Sequence, residues 1–327
     1  FTNQYDFRER RRRTHEQMNK LRVVGTSGDG MARATRIYRR ALSVRPTDTA
    51  VRQNYAQFLQ ESGSLLEATE EWKRLLESNP NVPTWRLALA TALSDQGAHQ
   101  AAFHEYVALK TMMPGLVLPH IQIGYELVAS GQIGEAVHVL FEALSINPGS
   151  IVARLNLVSL LEDVDQSAVA NEVVEAGLAL VRGRGDEHAE ADLLVGRSDL
   201  LVRRDVFDDA IADLEDAFSL YRVTRDLESE GSTLLALGRA ERERQNLESA
   251  ASRIAEGRAF AAEYQMRELE AQFVMQSALI AMDTDNQAKA GPLVKEARAI
   301  YASLSDRHPG LKRLDRLLEI LPSNSRF

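Results

Sequence analysis

His15 and Glu16 open like the metal-binding helix of a zinc protease, but position 19 is Asn rather than a second histidine. The two imidazoles one helical turn apart that would hold the metal are therefore missing, and the pair reads as a solvated helix face. Gly25, Gly28 and Gly30 imitate a phosphate-cradling loop. They lack the terminal Lys and Ser/Thr and a preceding strand, so they read as a connector. His99 and His104 stand five apart at a helix start, and His138 is alone. With no cysteine in the chain and no compact carboxylate cluster beside them, these read as surface or packing histidines. Asp208, Asp209, Asp213, Glu215 and Asp216 are expected on helix exteriors as a solubilising face. Zero cysteines also exclude disulfides, thiolate metal sites, iron–sulfur clusters and a cysteine nucleophile. No serine, histidine and acid arrangement can be argued. The expectation is a non-enzymatic chain with no metal and no cofactor.

Composition sets the frame in which such residues must be positioned. Of 327 residues, 44% are hydrophobic and 26% charged, ordinary values for a soluble globular protein. Aromatics at 6% are few for a protein that stacks bases along a groove. No apolar run reaches the ~18 residues of a membrane-spanning helix. Phe1 is followed by charged residues rather than an apolar leader, and the sequence reads as an excised piece of a longer chain. The compartment stays open, with the cytoplasm favoured over the periplasm. Net charge is -8, unevenly spread: residues 1–45 carry 12 Lys and Arg against 4 Asp and Glu, whereas 46–181 carry 6 against 16. A basic head thus precedes an acidic body.

Repeats decide the architecture. Pro46, Pro80, Pro114 and Pro148 are 34 residues apart, as are Gly63, Gly97 and Gly131. Ala34, Ala68, Ala102, Ala136 and Ala170 follow the same interval, and Tyr38, Trp72, Tyr106, Leu140 and Val174 sit four places later. Several residue classes sharing one 34-residue period indicate a helix–turn–helix unit. Each glycine can end a first helix at positive φ, and each proline closes the second helix. The alanines are expected where helices cross too closely for larger side chains. Beyond residue 190 the interval becomes 40: Ala210, Ala250 and Ala290; Leu214, Ile254 and Val294; Ala217, Gly257 and Ala297; Tyr221, Ala261 and Tyr301. Asp205, Asn246 and Asp285 punctuate this half as turn and cap residues.

These motifs resemble the tetratricopeptide repeat family. In 115–148, Ile123, Gly124, Leu127, Gly131, Ala136, Ala143 and Pro148 hold the family's signature places; in 81–114, Leu89, Ala90, Leu93, Gly97, Ala102, Tyr106 and Pro114 do. The family's early tryptophan is replaced by Arg52, Arg86, His120 and Arg154. The 40-residue half looks like the longer variant of adaptors and bacterial peptide-sensing regulators. The resemblance implies an all-α superhelix of helical hairpins, an α-solenoid of about eight helix pairs plus a capping helix. As one continuous array it would comprise a basic, degenerate first pair at 1–46, 34-residue units over 47–182, about three longer units over 183–304, and a cap and tail at 305–327. The cap is expected over residues ~308–321, with Leu311, Leu314, Leu317, Leu318 and Leu321 on one face. A bend or hinge is placed near 182–190.

In this family the first helix of each pair lines the concave surface. The resemblance therefore implies ligand-facing positions at Asn54 and Gln57, at Leu87 and Thr91, at Leu118, Ile121, Gln122 and Tyr125, and at Val152, Leu155, Asn156 and Ser159. None is lysine, so the lysine–asparagine clamp for a C-terminal carboxylate is absent. The middle is apolar and suits an extended or helical peptide, with Tyr125 as anchor; the alternative is that these side chains pack among themselves. The basic cluster of Arg8, Arg10, Arg11, Arg12, Arg13, Arg36 and Arg40 could meet phosphates or anionic lipid. No base-reading motif accompanies it, so a docking face is preferred, with nucleic acid disfavoured and an anionic membrane surface less so. The expected function is a protein-interaction scaffold or adaptor that binds a partner protein or peptide. The alternatives are a peptide-sensing regulator and the interaction tail of a larger, possibly enzymatic protein.

Overall fold

The computed structural model describes residues 28–305 and 308–320. The first helix expected at ~5–23, the connector glycines Gly25, Gly28 and Gly30 with their side-chain surroundings, and Leu321 lie wholly or partly outside what is described. Among the described residues every regular element is an α-helix. In order these are α1 (Gly28–Val44), α2 (Thr49–Glu61), α3 (Leu65–Ser78), α4 (Pro83–Asp95), α5 (His99–Met112), α6 (Val117–Ala129), α7 (Ile133–Ile146), α8 (Ile151–Asp163) and α9 (Ser167–Arg184). They continue with α10 (Glu187–Arg203), α11 (Phe207–Thr224), α12 (Leu227–Glu243), α13 (Leu247–Glu263), α14 (Arg267–Asp283), α15 (Gln287–Leu304) and α16 (Pro309–Ile320). Two compact units divide the chain between Ala170 and Asn171, inside α9. Each is a stack of helical hairpins.

The two sequence periods are the spacings of the helices. The first helices of the early pairs start at Thr49, Pro83, Val117 and Ile151, and those of the later pairs at Glu187, Leu227 and Arg267. The early pairs combine helices of 13 and 14 residues, such as α2 and α3. The later pairs combine 17 with 17 or 18, such as α12 with α13 and α10 with α11. About one extra turn on each helix, at ~3.6 residues per turn, accounts for the longer repeat. Gly63, Gly97 and Gly131 end the first helices at φ of 80°, 81° and 77°. In the later pairs Asp205, Gln245 and Asp285 take the same left-handed conformation at φ of 60°, 68° and 53°. Asn246 caps α13 by accepting from the Ser249 amide. Asp48, Ser150, Asp186, Asp226 and Asn286 cap their helices in the same way.

The small-residue positions face the interior of the stack. Ala68, Ala102, Ala136, Ala170, Ala210, Ala250 and Ala290 are all fully buried. So are the bulky residues four places on, including Trp72, Tyr106, Leu140, Leu214, Ile254 and Val294. Ala34 and Tyr38 at the array's start are only partly buried, and Tyr38 instead stacks on Tyr55 at 5.3 Å. At the far end α16 buries Leu314 and packs Leu311, Leu317 and Leu318 against the α14–α15 core. It does so as the sequence predicts for a cap.

Candidate peptide-binding face

Neighbouring first helices touch each other within each unit, α6 with α8 and α12 with α14. Side chains bridge the first helices of the first unit. Trp85 Nε1 on α4 donates to Gln53 Oε1 on α2 at 2.9 Å. Asn156 on α8 donates to the Tyr125 hydroxyl on α6. In the first unit these bridges join α2 to α4 and α6 to α8, and the candidate residues lie on these four helices.

Their accessibility divides them. Asn54 and Gln57 are exposed, and Gln57 donates to Glu61 at 3.0 Å. Leu118 and Val152, one 34-residue period apart, are 42% and 41% exposed. Leu87, Thr91, Tyr125, Leu155, Asn156 and Ser159 are half-buried. Thr91 shares a hydrogen bond of 3.3 Å with the Tyr106 hydroxyl. Ile121 and Gln122 correct the sequence reading. Only 6% and 8% exposed, they are sealed in the packing of α6, in which Pro119 through Gly124 are all buried. Ile121 belongs to the core, and Gln122 buries an Oε1 with no hydrogen-bond partner. The bridges Gln53–Trp85 and His99–Glu126 escaped the sequence reading. His99 Nδ1 lies 2.8 Å from Glu126 Oε2, and Glu126 is 2% exposed. Gln53 and Trp85 stand 32 residues apart, close to one period, whereas the 27 residues between His99 and Glu126 match no repeat spacing.

The residues in place of the early tryptophan work inside the fold. Arg52, Arg86 and Arg154 each donate to the carbonyl of the proline six residues earlier, at 2.6, 2.9 and 2.6 Å. Arg52 also pairs with Glu71 and Arg86 with Glu105 on the second helix of the same unit. Each arginine thus ties an inter-repeat turn to its own hairpin. His120 keeps the position, but its Nδ1–H donates locally to the Leu116 carbonyl, 3.0 Å away. Burial pushes its pKa down, and Lys110 adds to this against the Leu116 bond and Glu142.

Asp213 is a second correction. It is 5% exposed, and its carboxylate takes Nε and Nη2 of Arg197 at 2.7 and 2.6 Å. That bond holds the Arg197 guanidinium above its ordinary pKa. The helical period places Asp213 with Ala210, Leu214 and Ala217 on the inward side of α11, whereas Asp208, Asp209, Glu215 and Asp216 are exposed. His104 and His138 are exposed, and His138 pairs with Glu142 at 3.5 Å. Among the described residues no group of three or more His, Asp or Glu could hold a metal ion, and no helix is long and apolar enough to cross a membrane. Of the basic cluster, Arg36 and Arg40 lie exposed on α1, while Arg8 and Arg10 to Arg13 lie outside the described residues.

No protein-family model matches the chain. A curated relative is the small glutamine-rich tetratricopeptide repeat-containing protein 2 of Mycosarcoma maydis, 25% identical over 118 residues. The match takes in 36% of this chain and only about a third, 33%, of that protein. Yeast Tom70 has a similar fold, with a TM-score of 0.67 at 13% identity over 91% of this chain and 60% of its own. A tetratricopeptide repeat protein from Parabacteroides merdae gives 0.57 at 15% identity over 83% and 98%.

Proposed function

We propose that this chain, a tetratricopeptide-repeat protein by its repeats and its fold, is a non-catalytic scaffold that holds a segment of a partner protein against the first helices of its first unit. Leu118 and Val152 carry the reading. Two exposed aliphatic side chains at one repeat position, with half-buried Leu87 and Leu155 nearby, offer regularly spaced contacts to an extended or helical peptide. Asn54, Asn156 and the Tyr125 hydroxyl supply polar groups along the same face. Because Asn156 and Tyr125 already hold each other, little side-chain freedom is lost when a ligand lands. A partner protein is favoured over nucleic acid or an anionic membrane, since no base-reading pattern accompanies the arginines.

A second reading has its own observation. Phe103, Val107, Ile123, Leu127 and Val139 line an open, mainly apolar cavity of about 640 Å³ formed by α5, α6 and α7. Phe141 on α7 is also 41% exposed. A partner docking there would meet the second helices α5 and α7 together with one side of α6.

Paired capture from native lysate separates the two. Leu118→Glu with Val152→Glu should abolish capture, while Val107→Glu should leave it unchanged, with circular dichroism matched across all three proteins. Loss with Val107→Glu alone would move the site to the cavity between α5, α6 and α7.

A further inference from the structure

On the second-helix side of the first unit, one carboxylate gathers partners from three helices. Glu142 on α7 accepts through Oε2 from Lys110 Nζ on α5. The same oxygen stands 4.0 Å from Nε2 of His120 on α6. Its Oε1 stands 3.5 Å from Nδ1 of His138, one turn earlier on α7. Lys110 also lines the cavity formed by α5, α6 and α7. Its bond to Glu142 therefore clasps α5 to α7 at the rim of that cavity.

His120 is the buried member of this cluster, 2% exposed against 32% for Lys110 and 38% for Glu142. Its Nδ1–H is committed to the Leu116 carbonyl, so the neutral ring turns the Nε2 lone pair toward Glu142. The charged groups that face the ring are Lys110 from α5 and Glu142 from α7. Burial chiefly, with Lys110 behind it, pushes its pKa below 6.5, against the Leu116 bond and Glu142. The equivalent places in the neighbouring repeats hold Arg52, Arg86 and Arg154, whose charge is permanent. Arg52 and Arg86 pair with Glu71 and Glu105, 19 residues on, whereas the place 19 after His120 is Val139. This repeat replaces a fixed ion pair with a titratable ring and moves the carboxylate one turn on, where Lys110 takes it.

We propose that His120 operates the α5–α7 clasp by proton uptake: protonated at Nε2, it draws the Glu142 carboxylate onto α6 and displaces Lys110, opening the cavity rim. An imidazolium sealed from water needs a counter-charge, and Glu142 is the carboxylate that faces it. Lys110 and the imidazolium then compete for one oxygen and repel each other across it. Lys110 yields, because its side chain already meets water whereas His120 is sealed. At neutral pH the ring is neutral and the clasp closed, and acidification below 6.5 opens it. The switch is built into the hairpins, so it holds or fails apart from any partner that docks on the first helices or in the cavity.

The chain has no cysteine, so a single Val139→Cys on the cavity wall reports the opening in the whole protein. Its methanethiosulfonate labelling rate is divided by that of a free cysteine peptide at each pH from about 4.5 to 7.5, which cancels the thiol's own pH dependence. On acidification the ratio should rise about two- to fivefold, as loss of a part-exposed ion pair implies. Its midpoint should match that of the His120 ring signal, followed by proton NMR. Added to this parent, His120→Gln should abolish the step with circular dichroism unchanged. Lys110→Met should hold the ratio at its raised level throughout, and His138→Gln should keep the step. A flat ratio in the parent would overturn the proposal. So would a step that survives His120→Gln or Lys110→Met, or one that vanishes in His138→Gln.

Discussion

Gly257 shows how tightly single residues are set in this array. A Cβ there would stand 2.1 Å from Cζ of Phe273, a fully buried ring. Gly257→Ala should cost about 1–3 kcal/mol, the usual range for overpacking, read as a lower urea midpoint at unchanged slope. Asp213→Ala should cost about 1–3 kcal/mol, because it removes both bonds to the part-buried Arg197 guanidinium, which keeps only its pairing with Glu175. Two titrating groups act in opposite directions. The folded chain holds the Asp199 proton more tightly than the unfolded chain, up to about 6 from 3.8. Its contribution is therefore full below the ordinary carboxylate range and is lost as pH rises through about 6. His120 is pushed below 6.5, so its contribution is present above that value and fades as pH falls. Asp199→Asn should remove the first dependence and leave the second, measured as urea midpoints between about pH 4 and 8.

Helices follow from periodicity that one sequence displays openly. Both repeat intervals and the left-handed turn at Asp205 were legible because small, bulky and turn residues all mark the same spacing. Asp186 accepts from the Ala189 amide, and Asp186→Ala should cost about 1 kcal/mol through its lost cap. The face of each helix was less legible. Ile121 and Leu118 are both apolar and lie three residues apart on α6, yet one is 6% exposed and the other 42%. Which of them faces the seam between first helices depends on how neighbouring hairpins pack, and the period alone does not encode it. Asp213 was misplaced for the same reason, since its partner Arg197 sits 16 residues away on another helix. The arginines at 52, 86 and 154 looked like a loss of a signature residue, and their proline carbonyl contacts appear only in three dimensions.

Within each unit, each repeat buries its apolar face against its neighbours, so the surfaces it offers run along the stack of hairpins. Residues 46–181, which supply most of the first unit, are strongly acidic, with 6 Lys and Arg against 16 Asp and Glu. Residues presented on their first helices are nevertheless apolar or neutral, at Leu87, Leu118, Tyr125, Val152 and Leu155. An apolar stripe within an acidic surface favours partners with apolar side chains on a neutral or basic segment. Binding to that stripe should weaken little with added salt if apolar burial dominates, and an isothermal titration across salt concentrations reads this directly. The most direct test of the central claim is site-specific photo-crosslinking in cells, with benzoylphenylalanine placed singly at 118, 152 and 141. Scaffolding through the first helices predicts the same crosslinked partner from 118 and 152 and none from 141. A partner crosslinked from 141 but from neither 118 nor 152 would contradict it.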